Sequence, residues 1–259
     1  MRRRARILQI VNDHARKPMN HLRVLDIASL EGDYSVEFAL RGAQVLGVEG
    51  RRTNVERASA RFDMPNLKFV QDDVRNISRA KYGEFDVVLC LGILYHLDAP
   101  DCFKLLDAIA DVCTGVAVID THVSARRSET VQYKGREYSG WRYREYVQAP
   151  SAEEEESSTW ASIGNVHSFW PTRPSLVNAI AEAGFTSVTE CQYPAWNDIP
   201  ADRVAMVAIK GERQKVLGSP FDEALLAERV DEVPRVSAVA PRAAIKMQAK
   251  RVARWFGVR

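Results

Sequence analysis

Val24-Leu25-Asp26-Ile27-Ala28-Ser29-Leu30-Glu31-Gly32 is the stretch whose reading decides the fold. A short apolar run ends in an acid, a tight turn leads to Gly32, and a helical pattern follows. This is the strand–loop–helix opening of an α/β domain, in which the loop and the helix N-terminus present backbone N–H groups to a ligand. Ala28 and Leu30 stand where such a loop ordinarily carries glycine.

Outward from this stretch, strand and helix patterns alternate, which predicts a mostly parallel sheet covered on both faces. Strands are expected at Leu22–Ile27, Gln44–Val48, Leu67–Val70, Phe85–Leu91 and Gly115–Ile119. Helices are expected at Asp33–Arg41, closed by Gly42, at Thr53–Phe62 and at Asp101–Val112. From Asp120 to about Trp170 no period is sustained, and an insert or lid is expected over 123–172. Its acidic run, Glu153–Glu156, reads as a solvated charged turn. A helix at about Pro174–Ala183 and strands at Ser187–Cys191 and Val204–Ile209 complete the pattern.

At 259 residues and 46% hydrophobic, the chain suits one α/β domain with additions. The overall charge of +2 is unevenly spread: residues 1–17 carry net +5 and residues 242–259 net +6, leaving −9 for the middle. The expected division is a basic N-terminal helix (1–20), a catalytic-type domain (21–211) and a tail (212–259). The four cysteines show no CxxC spacing, so neither a disulfide framework nor a zinc site is implied. No secretory leader pattern or membrane-length apolar run is visible, and a cytoplasmic location is expected.

Three acids fall at the ends of the first three strands: Asp26, Glu49 and Asp73. In open α/β sheets, ligands bind outside these ends. Glu49, 23 residues after Asp26, sits near the interval at which an acid grips ribose hydroxyls. Asp73 is placed to accept from an adenine amino group. A nicotinamide enzyme would need GxGxxG to let the backbone approach a pyrophosphate, and Ala28-x-Leu30 lacks it.

The chain resembles the class I S-adenosylmethionine-dependent methyltransferases over about Leu22 to Lys210. Leu-Asp-Ile-Ala-Ser-Leu-Glu-Gly is similar to their glycine-rich first motif. Val-Glu-Gly-Arg (48–51), Gln-Asp-Asp-Val (71–74) and the run from Phe85 to Leu97 are similar to their ribose, adenine and fourth-strand segments. The resemblance implies a Rossmann-like fold with a seven-stranded, mostly parallel sheet of order 3-2-1-4-5-7-6, its seventh strand antiparallel, and a lid insert after strand 5. It implies S-adenosylmethionine as cofactor, with S-adenosylhomocysteine as product. The implied cofactor site is Asp26, Ile27, Ala28, Ser29, Leu30, Gly32, Glu49, Gly50, Arg51, Asp72, Asp73, Val74, Leu91 and Gly92. Of the family's first-motif glycines only Gly32 survives. Leu30 is comfortable only if the loop takes an ordinary turn conformation there rather than φ > 0.

Methyl transfer needs alignment, and a base if the nucleophile is a hydroxyl. His96 is the first candidate base, its other role being a structural hydrogen bond beside the cofactor. His122 is the second, and Tyr95 either joins the site or packs on the cofactor's methionine tail. His167 could fold back from the insert, and Asp120, His122 and His167 could in principle share a metal, although no acid cluster supports one and none is expected. Arg126, Arg127, Arg136, Arg142 and Arg173 are candidates for holding an anionic acceptor, or else pair with Glu153–Glu156.

The expected function is methylation of a small-molecule acceptor, with oxygen the expected methylated atom. Gly92-Ile93-Leu94-Tyr95-His96-Leu97-Asp98-Ala99-Pro100 and Asn165–Thr172 are also similar to enzymes that carboxymethylate tRNA wobble uridine with a carboxylated cofactor, which makes that activity the alternative. A non-catalytic binding module is the second alternative. Pro241–Arg259 reads as a basic amphipathic helix that could touch anionic membrane or nucleic acid, or dock on the acidic body. The acceptor and the oligomeric state are not legible.

Overall fold

In the computed structural model, residues 2–191 and 200–212 are described. The tail and its basic helix at 241–259 lie outside the described residues. The helices are α1 (Arg2–His14), α2 (Asp33–Ala39), α3 (Arg52–Arg61), α4 (Arg79–Tyr82), α5 (Asp101–Val112), α6 (Ala152–Ser157) and α7 (Arg173–Glu182). The strands are β1 (Arg23–Ile27), β2 (Gln44–Glu49), β3 (Leu67–Gln71), β4 (Phe85–Leu91), β5 (Cys113–His122), β6 (Glu129–Tyr133), β7 (Arg136–Arg144), β8 (His167–Pro171), β9 (Ser187–Cys191) and β10 (Arg203–Ile209).

Seven strands form the main sheet in the order β3-β2-β1-β4-β5-β10-β9. The first five run parallel, and β10 is antiparallel to both β5 and β9. This is the predicted class I order, with β9 and β10 taking the places of strands six and seven. The register keeps the strand ends level. Ile27 pairs with Val48 and with Cys90, Leu91 with Asp120, and His122 with Arg203. The carboxyl ends of β1, β2, β4 and β5 and the amino end of β10 therefore form one edge, and the site is built along it.

Each face of the sheet has its own core. On one side Leu25, Ile27, Val88, Cys90, Ala117 and Ile119 pack against α5 and α7 through Leu105, Leu106, Ile109, Leu176 and Ile180. On the other, Val24, Val87, Leu89, Val116, Val118 and Val207 pack against Phe38 of α2 and Ile7, Ile10 and Val11 of α1. Burial on both faces is why β4 and β5 read as near-continuous apolar runs. Among the described residues, no helix is long and apolar enough to cross a membrane.

The insert is not irregular. β6, β7 and β8 form a second, antiparallel sheet. Its hairpin turn is Lys134-Gly135, with φ of 49° and 76°, the left-handed pair that a two-residue turn demands. The inward face lays Tyr133 and Tyr138 on Phe103 at centroid distances of 5.5 and 4.6 Å. The outward face carries Trp141, Tyr143 and Trp170 in mutual contact. Aromatic and polar residues on both faces erase the clean alternation that would have announced the strands. The acidic run is likewise corrected: it is α6, closed by a capping box between Ser151 and Glu154.

Candidate active site

The level strand ends floor a cleft of about 630 Å³, a size suited to a cofactor-scale ligand. Its buried polar groups near β1 and β2 are acceptors: Asp26 and Glu49 are 3% and 2% exposed. Glu49 Oε2 accepts the Leu30 N–H at 3.0 Å. Glu49 Oε1 accepts the Arg51 N–H at 3.0 Å and the Asn54 side-chain amide at 3.2 Å. A carboxylate offers about four acceptor directions, so one remains for a ligand hydroxyl.

The loop that Glu49 grips is left-handed at three positions. Ala28, Leu30 and Gly32 have φ of 55°, 50° and 82°. Leu30 therefore takes the left-handed conformation and not an ordinary turn, and the loop keeps a glycine-type backbone with only Gly32 a glycine. A left-handed non-glycine residue costs roughly 1–2 kcal/mol. The Glu49 bond to Leu30 and the Ser29 N–H bond to Val48 O at 3.1 Å offset that cost. Gly32 cannot be replaced in the same way, because a Cβ there would stand 2.4 Å from Phe69 Cζ.

Arg51 joins this loop to the insert. Its buried guanidinium donates to the carbonyls of Glu155, Ser158 and Ala161 at 2.7, 2.7 and 2.8 Å. Glu156 Oε1 accepts the Thr53 N–H at 2.7 Å and the Thr53 hydroxyl at 2.6 Å. The insert thereby supplies the carboxylate cap that Arg51, at the N-cap of α3, does not. Those hydrogen bonds hold the Glu156 carboxyl below the usual range. Thr159, Trp160, Ala161 and Ile163 then roof the cleft above Gly50.

Past β4, the turn Leu94–His96 brings Tyr95 and His96 onto the cleft wall. His96 Nδ1 lies 3.0 Å from Glu145 Oε1, and the Glu145 side chain is only 4% exposed. The insert also binds the backbone of this turn. Asn165 donates to His96 O at 3.0 Å, Phe169 N–H to Leu97 O at 2.9 Å, and Trp170 Nε1–H to Tyr95 O at 3.0 Å.

Comparisons with known proteins agree with this architecture. Residues 24–115 match the family described as methyltransferase domain. The chain carries a class I, S-adenosylmethionine-dependent methyltransferase domain. It is 31% identical over 125 residues to ubiquinone biosynthesis O-methyltransferase of Psychrobacter cryohalolentis, covering 45% of this chain and 47% of that protein. The chain thus spans about half the length of the curated relatives it matches. The N-terminal domain of EvdMO1, crystallised in the presence of S-adenosylhomocysteine and D-fucose, is 25% identical with a TM-score of 0.62, covering 80% of this chain and 82% of that one. The 1,6-didemethyltoxoflavin-N1-methyltransferase of Burkholderia thailandensis, at 19% identity, TM-score 0.53 and coverage of 82% and 78%, shares the fold.

Within the methyltransferase domain, most of the sequence-predicted residues converge. Asp26, Ala28, Ser29, Leu30, Glu49, Gly50, Arg51, Asp73, Val74, Leu91, Gly92, Tyr95 and His96 all line the cleft. Asp73 also caps the turn Val74–Asn76 and pairs with Arg75 at 2.9 Å. Four predicted residues lie outside this lining, one of them Gly32, at the N-cap of α2. Ile27 is core. Asp72 faces away, accepting from Lys81 at 2.6 Å, from Asn76 at 2.9 Å and from Tyr82, which hold it at about 2. His122 sits behind Tyr95, stacked on Trp170 at 4.9 Å, with Nδ1 3.1 Å from Asp202; burial pushes its pKa down.

The insert arginines are corrected too. Arg142 pairs with Asp98 and Glu129, Arg136 with Glu182, and Arg173 with Glu190, while Arg126 lies over Trp141. None of these, nor Arg127, lines the cleft. Among the described residues, no group of three or more His, Cys, Asp or Glu is placed to hold a metal. His167 is exposed at the start of β8. The residues that sequence reasoning missed are Glu145, Arg75, Tyr34, Arg203 and Arg3. Glu145, Arg203 and Arg3 come from elements distant in sequence from the loops they serve, while Arg75 and Tyr34 closely follow motif segments.

Burial raises the Asp26 carboxyl from 3.8 to about 7, against the lowering effect of Ser35, whose hydroxyl donates at 2.6 Å. Between these two values the folded state keeps a proton that the unfolded state has lost. Stability from this group is therefore full at acid pH and falls, by something on the order of a few kcal/mol, as pH rises to about 7. Asp26→Asn should abolish this decline, so that its thermal midpoint gains on wild type between pH 5 and pH 8. A parallel decline in the variant would contradict the assignment. At Leu30, the β-branched Leu30→Ile should lose roughly 1–2 kcal/mol in denaturant unfolding, whereas Leu30→Gly loses none.

Proposed function

We propose that the chain transfers a methyl group from S-adenosylmethionine to a hydroxyl of a small-molecule acceptor, with His96 as the base. The observation that carries this reading is the His96–Glu145 pair on the cleft wall. The buried Glu145 carboxylate accepts from Nδ1–H, which leaves the Nε2 lone pair to take a proton. Such a pair is what a hydroxyl nucleophile needs and what an already basic amine does not.

The cleft fits the cofactor by its donor set. Two buried acids and a loop without open glycines suit a ligand with a cation and ribose hydroxyls better than a pyrophosphate. Glu49 would take a ribose hydroxyl, Asp73–Arg75 would border the adenine, and Asp26 would face the cationic end. When bound, S-adenosylmethionine supplies a methyl group already activated on a sulfonium. The chain's own residues then bind, orient and deprotonate. Leu91, Gly92 and Tyr95 border the space where the acceptor oxygen must stand, and His96 receives the hydroxyl proton at Nε2. The relatives support an oxygen acceptor by name, being O-methyltransferases, and EvdMO1 was crystallised with a sugar.

A panel of phenols, catechols, sugars, hydroxy acids and phosphorylated hydroxyl compounds, assayed for S-adenosylhomocysteine release, tests the reading. Turnover should appear on hydroxylated compounds. His96→Ala should then cut kcat by about 10²–10⁴-fold while leaving S-adenosylhomocysteine affinity within a few fold. Glu145→Gln should cut kcat about tenfold or more and shift the pH–rate profile. Full activity of His96→Ala on the best acceptor would sink the proposal.

A further inference from the structure

Beyond β4, two further arginines enter the cleft. Asp120, at 0% exposure on β5, accepts a hydrogen bond from Arg203 and forms an ion pair with Arg3. Arg203 Nε of β10 lies 2.6 Å from Asp120 Oδ1, and Arg3 Nη2 of α1 lies 2.8 Å from the same oxygen. Both arginines line the cleft. Two phenols flank them: the Arg203 guanidinium lies 5.7 Å from the Tyr95 ring centroid, and that of Arg3 5.9 Å from the Tyr34 ring. The outer edge of Arg203 faces the cleft floor, since a Cβ on Gly92 would stand 3.5 Å from Arg203 Nη2 and 3.6 Å from the Tyr95 hydroxyl.

Among the described residues, two guanidiniums converge on the Asp120 carboxylate at this end of the cleft. A cleft that also receives a sulfonium gains by having an anion there. Position across the sheet says what would carry it. The proposed cofactor contacts run from the end of β3 through β2 and β1 to β4. Arg203 enters from β10, two strands beyond β4 in the sheet order and so about 10 Å further across. An anion at this place lies past the methyl group, on the side from which an acceptor must approach.

We propose that Arg203 and Arg3, with the Tyr95 hydroxyl, form a subsite for an anionic group of the methyl acceptor, a carboxylate or a phosphate. The inference rests on the methyl-transfer reading for what the anion belongs to, but its test requires no turnover. A fork of N–H donors suits either anion. The acceptor class is then a hydroxylated acid or a phosphorylated hydroxyl compound, in preference to a neutral sugar or phenol.

The experiment titrates sodium acetate and, separately, inorganic phosphate into the full chain saturated with S-adenosylhomocysteine, read by calorimetry. Wild type should bind at least one of them saturably at a single site, and the better binder names the anion class. Arg203→Gln should weaken that anion by about tenfold or more, with S-adenosylhomocysteine affinity within about threefold. Arg203→Lys, which keeps a cation beside Asp120, should fold where Arg203→Gln fails to and still show a weakened anion. No saturable anion binding in wild type overturns the proposal, as does unchanged anion affinity in both variants. A fall in S-adenosylhomocysteine affinity matching the fall for the anion also overturns it, since the pair would then hold the cofactor's own carboxylate. Loss of activity in His96→Ala, or its absence, leaves this result untouched.

Discussion

The Glu49 carboxylate is the constraint on which the rest of the site depends. Buried at the end of β2, it must satisfy its oxygens from the protein, and it does so with N–H groups from three places: Leu30, Arg51 and Asn54. The first bond holds a loop whose non-glycine residues would otherwise leave the left-handed region. The second fixes the backbone of Arg51, whose side chain clasps three carbonyls of the insert. Cofactor loop and roof are thus tied through one buried acid. A charge in that position without such partners would cost several kcal/mol, which makes the geometry of the loop and the roof a consequence of burying the acid.

The insert therefore belongs to the site and is more than a cover. Sequence similarity singles out two separate stretches, Gly92–Pro100 and Asn165–Thr172. In the structure they are one unit, joined by the bonds of Asn165, Phe169 and Trp170 to the carbonyls of His96, Leu97 and Tyr95. The partner of His96 also comes from the insert, because Glu145 directly follows β7. The proposed base is divided between the Rossmann-like body and the insert, so it is oriented only when the two are docked.

What could be read from the sequence follows the range of the forces involved. The alternation of strands and helices, the two-sided burial of β4 and the acids at the ends of β1 and β2 are local patterns, and they were legible; the strand order came with the family resemblance. Leu30 was not, because its left-handed backbone is imposed by Glu49, nineteen residues away. β6 and β7 were not, because Tyr138 and Trp141 bury opposite faces of one strand and blur its period. The arginines were misassigned for a related reason. A guanidinium goes to the nearest buried or half-buried acid, and for Arg142 and Arg136 those acids are Asp98, Glu129 and Glu182 on their own side of the insert.

The placement of charge along the cleft bears on the chemistry. The buried acids Asp26 and Glu49 lie over β1 and β2, with Arg51 beside them; Arg3 and Arg203 lie beyond β4. A methyl group leaving a sulfonium takes positive charge away from the first region and toward the second. Fixed negative charge alone around the sulfonium would stabilise the reactant cation and oppose transfer. Asp26 tempers this, since burial raises its carboxyl from 3.8 to about 7 and so disfavours the full negative charge. On the far side, Arg203 and Arg3 favour an acceptor that brings its own anion, whose field stabilises the positive charge as it moves. Glu49, which three N–H groups already neutralise in part, is left to position rather than to hold the cation.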